Sequence, residues 1–258
     1  MSDVYVVGEF GSCHEEVLAN ALQGVRVAAE AGCDAFKAQF FSSPARMRAR
    51  RHMPADAKHY NTGSIHSHWL ALLKRECDDH HIAFACSVFL PEDVSVLDPY
   101  LDVWKISSFE ALDTELCQAV EAVRGERPWF ISTGMQHEAQ DMMHFATAGA
   151  IKLHCVSAYP APLEEANLGA IEPHEGYSDH TRCIYTGGLA VAAGADYLEV
   201  HYRLQTTTPE CPDYPVALSP KQLAQYVEFA RTAALARGSG EKVPQECEKE
   251  NMRYRVVR

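Results

Sequence analysis

The sequence lacks an excess of positive charge, a long apolar run and paired cysteines, and each shortage excludes a class of protein. Its 258 residues carry a formal net charge of −12, which argues against nucleic acid or an anionic membrane as the main partner. No apolar run approaches the roughly 18 residues of a membrane-spanning helix. The N-terminus has no basic segment followed by an apolar one, so we expect no signal peptide.

Cysteine usage points to a reducing compartment. The nine cysteines occur without any CxxC pair, which disfavours a structural zinc site. Several of them, Cys33, Cys86 and Cys155, lie in or beside apolar runs. We therefore expect reduced, buried thiols in a cytoplasmic protein rather than a disulfide framework. Cys86 is interpreted as a packed thiol and not as a nucleophile.

Short apolar runs alternate with amphipathic stretches along the whole chain, which is 47% apolar. The predicted strands are residues 4–7, 35–39, 83–86, 103–106, 129–132, 151–155, 176–178 and 195–200. The predicted helices cover 17–31, 66–80, a short stretch from 91, 113–123, 139–148, 183–193 and 220–236, and a polar, basic loop covers 42–64. Eight strands in this alternation predict a single (β/α)₈ TIM-barrel domain over residues 1–258.

An open, doubly wound α/β sheet is the alternative fold. It usually has fewer strands and a glycine-rich first turn that binds a dinucleotide. The first turn here, Gly8-Glu9-Phe10-Gly11-Ser12, does not have that pattern. No internal repeat, low-complexity segment or linker is visible, so the barrel is the simpler interpretation.

Polar side chains gather where the predicted strands end, which is the active-site face of a barrel. Charged groups inside apolar strands are costly unless they are paired or functional. Lys37 and Lys105 are therefore candidates for binding a phosphate or a carboxylate. The strand-end residues are Glu9, Lys37, Gln39, Ser87, Lys105, Ser108, Glu110, Ser132, Tyr159, Ser178, His180, Glu199 and His201.

Two of these residues, His180 and His201, follow successive strands and should face one point. With a nearby carboxylate they form a donor set that a divalent transition ion accepts. Together with the lysines, they indicate a site for a phosphorylated or carboxylated small molecule beside a metal. Taken singly, such a lysine or histidine is more often a partly solvated or hydrogen-bonded group. The basic residues Arg46, Arg48, Arg50 and Arg51 are interpreted as a solvated part of the loop.

Seven short segments carry a more specific pattern. They are Gly8-Glu9-Phe10-Gly11-Ser12-Cys13-His14, Asp34-Ala35-Phe36-Lys37-Ala38-Gln39, Lys105-Ile106-Ser107-Ser108-Phe109-Glu110, Ile131-Ser132-Thr133-Gly134-Met135, Leu153-His154-Cys155 with Tyr159-Pro160-Ala161-Pro162, Gly176-Tyr177-Ser178-Asp179-His180-Thr181, and Pro212-Asp213. In this order they resemble the motifs of the sialic acid synthase (N-acetylneuraminate synthase) family. The Gly-Tyr-Ser-Asp-His-Thr segment is the most specific of them.

The resemblance implies a TIM-barrel enzyme that condenses phosphoenolpyruvate with an amino-sugar aldehyde, such as N-acetylmannosamine, to give a nonulosonic acid and phosphate by C–O cleavage. It implies that His180 and His201 bind a divalent metal, manganese first and magnesium or cobalt as alternatives. The implied phosphoenolpyruvate-binding residues are Lys37, Lys105, Ser87, Ser108, Ser132 and Ser178, with Gln39, Ser157 and Glu199 completing the substrate-binding set. The implied catalytic residues are Glu9, Glu110, Tyr159 and Asp213, with Glu110 as the candidate base for the reacting water.

The chain departs from the family motifs at five positions, Cys13, Val88, Ser157, Val200 and Cys211. Family members usually carry a C-terminal antifreeze-like domain, whereas we expect only the catalytic barrel in residues 1–258. The sugar pocket is then more open, is completed by another protein, or takes a different acceptor. The expected partners are small-molecule substrates, and the oligomeric state stays open, with a homodimer as the usual form in the family.

Three other functions remain open at this point. They are the same condensation on a different aldehyde, a barrel without catalysis that binds a ligand or a partner, and an unrelated metal hydrolase. Phosphate release from phosphoenolpyruvate distinguishes them. An unrelated metal hydrolase would act without phosphoenolpyruvate.

Overall fold

Eight parallel strands form a closed barrel in chain order, as the sequence predicts. The structure, a computed structural model, describes residues 4–54, 62–136 and 149–256. The strands are β1 Tyr5–Glu9, β2 Ala35–Phe40, β3 Ala83–Val88, β4 Val103–Ile106, β5 Trp129–Ser132, β6 Ile151–His154, β7 Gly176–Asp179 and β8 Tyr197–His201. The last strand pairs with the first, with Glu9 opposite His201. The doubly wound alternative is therefore wrong.

The helices of the described residues lie mostly where amphipathic spacing predicts them. They are α1 Leu18–Glu30, α2 Pro44–Arg50, α3 Leu70–Asp79, α4 Val94–Leu97, α5 Thr114–Arg124, α6 Thr186–Ala193, α7 Pro220–Arg237 and α8 Lys249–Met252. The predicted helix over residues 139–148 lies outside the described residues. None of the described helices is long and apolar enough to cross a membrane.

One connection differs from the prediction. Helix α2 occupies part of the predicted loop over residues 42–64, because Ser43 caps its N-terminus by accepting a hydrogen bond from the Arg46 N–H and Pro44 fits the first helical position. After β6, the fully described residues 155–175 contain only two 3₁₀ turns, Leu163–Glu165 and Leu168–Ala170.

The inward-facing side chains explain both the stability of the barrel and the position of its site. Alternate residues of a strand point to the same face. Val7, Ala35, Ala85, Val103, Phe130 and Leu153 form a buried apolar cluster inside the barrel. Two residues further along five of these strands, the same face carries Glu9, Lys37, Ser87, Lys105 and Ser132. The barrel interior thus has an apolar layer and, next to it toward the carboxyl ends of the strands, a polar layer.

Candidate active site

The polar layer opens into a cavity of about 330 Å³ at the carboxyl face of the barrel. That volume suits a small-molecule ligand. Of the fifteen site residues predicted from the sequence, fourteen line it: Glu9, Lys37, Gln39, Ser87, Lys105, Ser108, Ser132, Ser157, Tyr159, Ser178, His180, Glu199, His201 and Asp213. Glu110 is the exception, although it lies just behind the wall.

Lys37 is closely paired with two carboxylates of the cavity. Its Nζ lies 2.5 Å from Glu9 Oε2 and 3.5 Å from Glu199 Oε2, and it donates a 2.8 Å hydrogen bond to Ser87 Oγ. Burial alone would lower the pKa of Lys37, but Glu199 and Glu9 outweigh it and raise the pKa. Lys37 is therefore a permanent positive charge beneath the cavity.

Lys105 has fewer anionic partners. Its Nζ donates a 2.7 Å hydrogen bond to Ser132 Oγ and lies 3.7 Å from Glu199 Oε1. Burial lowers its pKa, and the nearby charge of Lys37 acts in the same direction. A bound anion would offset both effects, so the charge pattern favours an anionic ligand next to Lys105.

Glu199 is the carboxylate that both lysines share as a counter-ion. Burial by itself would raise its pKa, but the attraction of Lys105 and Lys37 lowers the pKa to about 2. Its Oε1 also accepts a 2.9 Å hydrogen bond from the Ser178 hydroxyl. Because the two lysines hold it in the ionised form, Glu199 acts as a counter-ion and not as a proton acceptor.

His180 and His201 come together as predicted, with ring centroids 5.4 Å apart. The Nδ1–H of His180 donates to the carbonyl oxygen of Val156 at 2.6 Å, which leaves its Nε2 as the lone-pair nitrogen. Burial and the neighbouring His201 lower the pKa of His180 to about 3. The imidazole is therefore neutral at pH 7, which is the state that binds a metal.

His201 offers a second imidazole nitrogen at the same place. Its Nδ1 is buried and has no hydrogen-bond partner within the described residues, and Asp213 Oδ1 lies 3.6 Å away. No cluster of three His, Cys, Asp or Glu side chains ready to hold a metal occurs among residues 4–54, 62–136 and 149–256. The residues fit an ion that takes two imidazoles from the protein and oxygen ligands from water or substrate.

Sequence reasoning missed Arg51 as a site residue. Its expected solvation is wrong, because its side chain is only 9% exposed and lines the cavity. The guanidinium lies over the rings of Phe89 and Phe109, 5.3 and 4.4 Å from their centroids. Arg46, by contrast, is 64% exposed. The only signal in the sequence was the capping pattern at Ser43, which indicates a helix and so a fixed direction for the residues that follow.

Arg51 also explains why Glu110 is set back from the cavity. Its Nε donates to Glu110 Oε1 at 2.6 Å and its Nη2 donates to Oε2 at 2.9 Å. The Ser107 hydroxyl donates to Oε2 as well. Both oxygens are thus engaged by neighbours behind the cavity wall, which bears on the base role predicted for Glu110.

Comparisons with known proteins decide the family. A model of the NeuB family matches residues 24–242. The chain belongs to the NeuB family. The N,N'-diacetyllegionaminic acid synthase of Campylobacter jejuni is 28% identical over 98% of this chain and 83% of its own length. The human N-acetylneuraminate-9-phosphate synthase is 27% identical over 95% of this chain and 74% of its own.

A solved structure agrees with this assignment. The N-acetylneuraminic acid (sialic acid) synthetase of Leptospira borgpetersenii serovar Hardjo-bovis, in complex with citrate, superposes with a TM-score of 0.88. It is 27% identical, and the match covers 98% of this chain and 91% of that one. The resemblance seen in the sequence, the TIM-barrel fold and the prediction of a condensing enzyme of the nonulosonic-acid type are therefore confirmed.

Proposed function

We propose that this NeuB-family enzyme condenses phosphoenolpyruvate with an N-acetylated amino-sugar aldehyde, of the N-acetylmannosamine class, to give a nonulosonic acid and phosphate. The observation that carries the proposal is the pair of buried lysines beside two histidines in one cavity. Lys37 and Lys105 offer ammonium groups to a phosphate and a carboxylate. The relatives named above make different nonulosonic acids, so the acceptor is proposed as a class.

His180 and His201 would hold a divalent ion, manganese in the first place. When bound, such an ion supplies Lewis-acid polarisation of a carbonyl oxygen. The protein's contribution is to present His180 Nε2 in the neutral tautomer, through the Nδ1–H bond to the Val156 carbonyl. The orphaned Nδ1 of His201 is consistent with a site that is completed by a ligand.

Phosphoenolpyruvate would lie over the lysine pair. Ser132 and Ser87, which already bond to Lys105 and Lys37, would turn their hydroxyls toward the phosphate or carboxylate oxygens. Ser108 and Ser157 bond to each other at 2.7 Å across the next part of the rim. The serine hydroxyls are neutral donors. They would orient the bound anion without adding further charge to the buried polar layer.

The condensation needs a base for the water that adds to the central carbon of phosphoenolpyruvate. Glu110 was predicted for this role, but Arg51 and Ser107 hold both of its oxygens. Glu9 lines the cavity and pairs with Lys37 through Oε2. Burial nevertheless raises the pKa of Glu9, whereas the pKa of Glu199 is lowered. We therefore assign the role of the base to Glu9. Glu110 instead holds Arg51 in place, and Arg51 forms part of the cavity wall. Tyr159, whose side chain is exposed at the mouth, and Asp213 are proposed to meet the sugar.

The test is phosphate release from phosphoenolpyruvate that carries ¹⁸O in the bridging position. With Mn²⁺ and a panel of N-acetylated amino sugars, we expect release that depends on the sugar and delivers ¹⁸O to the phosphate, because the C–O bond breaks. Phosphate without the label would show P–O cleavage and overturn the mechanism. Release that is independent of any sugar would indicate a hydrolase instead.

A further inference from the structure

Two cysteines from opposite ends of the chain meet at the rim of the barrel. Cys13 follows β1 and Cys211 follows β8, the two strands whose pairing closes the barrel. Their sulfur atoms lie 3.7 Å apart, although 198 residues separate them in sequence. Both residues are buried. The fold thus places two buried thiols in contact.

We propose that Cys13 and Cys211 form a reversible redox pair that closes as a disulfide between the loops after β1 and β8. An S–S bond is about 2 Å long, so the sulfurs need to approach by less than about 2 Å. Both cysteines lie in loops beyond the ends of the strands, and loops generally move more easily than strands do. The pair is separate from the lysines and histidines that carry the proposed reaction.

The surroundings of the pair make one of its sulfurs reactive. The hydrogen bond with Cys13 lowers the pKa of Cys211 to about 7. The same contact raises the pKa of Cys13. Since the thiolate is the form that reacts with oxidants, Cys211 is the attacking sulfur and Cys13 the resolving one.

The other buried thiols are poor competitors. Desolvation by burial raises the pKa values of five of them, which keeps these sulfurs protonated and unreactive. They are Cys33, Cys77, Cys86, Cys117 and Cys155. Cys247 is exposed and is the natural reference for unassisted oxidation.

Hydrogen peroxide is the proposed oxidant, because it is small enough to reach a rim that is largely closed. The Cys211 thiolate attacks one peroxide oxygen, the O–O bond breaks, and the products are a sulfenic acid and, after protonation, water. The Cys13 sulfur then attacks the Cys211 sulfur, the S–O bond breaks, and a second water leaves with the thiol proton. Two thiols and one peroxide thus give one disulfide and two waters, with each sulfur losing one electron.

Closing the disulfide should affect the cavity. Ser12 donates from both its N–H and its hydroxyl to Asp213 Oδ2, each at 2.6 Å, and Ser12 and Asp213 are cavity-lining residues. A methyl group at Gly11 would collide with the Asp213 carboxylate, so the two loops are already in tight contact. Pulling Cys211 toward Cys13 shifts this pairing. This consequence rests on the proposed function, whereas formation of the disulfide does not.

The experiment treats the fully reduced protein with a peroxide series, alkylates the remaining thiols and maps the peptides by mass spectrometry. We expect a linked Cys13–Cys211 peptide at peroxide concentrations that leave most of Cys247 unmodified, and its loss on adding dithiothreitol. Cys13→Ser should stop at the Cys211 sulfenic acid, which a diketone probe traps. The matched control, Cys247→Ser, should form the linked peptide as the wild type does.

The opposite result is equally clear. If Cys247 is fully oxidised while no Cys13–Cys211 peptide forms in the wild type, the proposal is overturned. This readout does not depend on catalysis, so an inactive preparation would count against the proposed function alone. If the enzyme is active, we expect oxidation to lower its rate at least several-fold and dithiothreitol to restore it, with no such effect in Cys211→Ser.

Discussion

Arg51 binds Glu110 through two parallel hydrogen bonds, from Nε to Oε1 at 2.6 Å and from Nη2 to Oε2 at 2.9 Å. Both side chains are almost fully buried, at 9% and 6% exposure. The arginine also lies against Phe89 and Phe109. The pair ties the segment after α2 to the loop after β4 and so shapes one wall of the cavity.

Removing this arginine should destabilise the protein measurably. Arg51→Ala leaves the Glu110 carboxylate buried without its charge partner, which costs about 3–5 kcal/mol. Arg46→Ala is the matched control, because Arg46 is mostly exposed and its pair with Glu92 is worth about 0–1 kcal/mol. Urea unfolding of both variants checks this prediction, and equal losses for the two would contradict it.

The assignment of the base separates two glutamates. Glu9→Gln should lower kcat about 100-fold or more, because it removes the group that accepts the water proton. Glu110→Gln should lower it less, since its oxygens serve Arg51. Steady-state kinetics of phosphate release compares the two variants. A larger loss in Glu110→Gln than in Glu9→Gln would return the base role to Glu110.

His180 should make the stability depend on pH in a defined direction. Its pKa in the folded protein is about 3, against about 6.5 in an unfolded chain. At a pH between these two pKa values, the imidazole is protonated in the unfolded state and neutral in the folded state. The free energy of unfolding therefore falls as the pH drops below about 6.5. His180→Gln lacks this effect. The unfolding free energy of the wild type, relative to the variant, should fall by about 1.5 kcal/mol between pH 6.5 and 5.

The use of a variant as reference matters for that measurement. Asp179, next to His180, has its pKa raised to about 6 by burial, and its contribution to stability falls with rising pH. This opposing effect is present in both proteins and cancels in the difference. An unchanged difference across this pH range would show that His180 titrates normally.

Manganese binding tests the histidine pair. We expect the wild type to bind Mn²⁺, as followed by the loss of the free-ion signal in electron paramagnetic resonance. His201→Ala should weaken binding by at least 10-fold because it removes one of two protein nitrogens. His174→Ala is the control, since that side chain is 86% exposed and pairs with Asp196 on the surface. Equal weakening in both variants would exclude His201 as a ligand.

Much of the fold was readable from the sequence, for a physical reason. Strands such as β2 and β8 are short, mostly apolar runs whose inward faces change from an apolar or aromatic first residue to a charged third residue. Lys37, Lys105 and Glu199 were therefore visible as costly charges at predictable places. The residues that gather around them follow from strand order and closure of the barrel.

The contacts that the sequence does not predict are those made by residues in loops. The contact between Cys13 and Cys211 requires the path of two loops whose strands lie at opposite ends of the sequence. Arg51 and Glu110 are 59 residues apart, and no periodic pattern connects them. The direction of the Glu110 side chain, away from the cavity, is set by that partner and not by its position after β4.

The most direct test of the account is a calorimetric titration of phosphoenolpyruvate into the Mn²⁺-loaded protein, because it requires no knowledge of the acceptor sugar. Lys105→Met should weaken binding about 10- to 100-fold through loss of a charged hydrogen-bond donor, while Lys249→Met, at an exposed surface position, should bind as the wild type does. Binding that is absent in the wild type, or unchanged in Lys105→Met, would contradict the claim that the buried lysine layer is a phosphoenolpyruvate site.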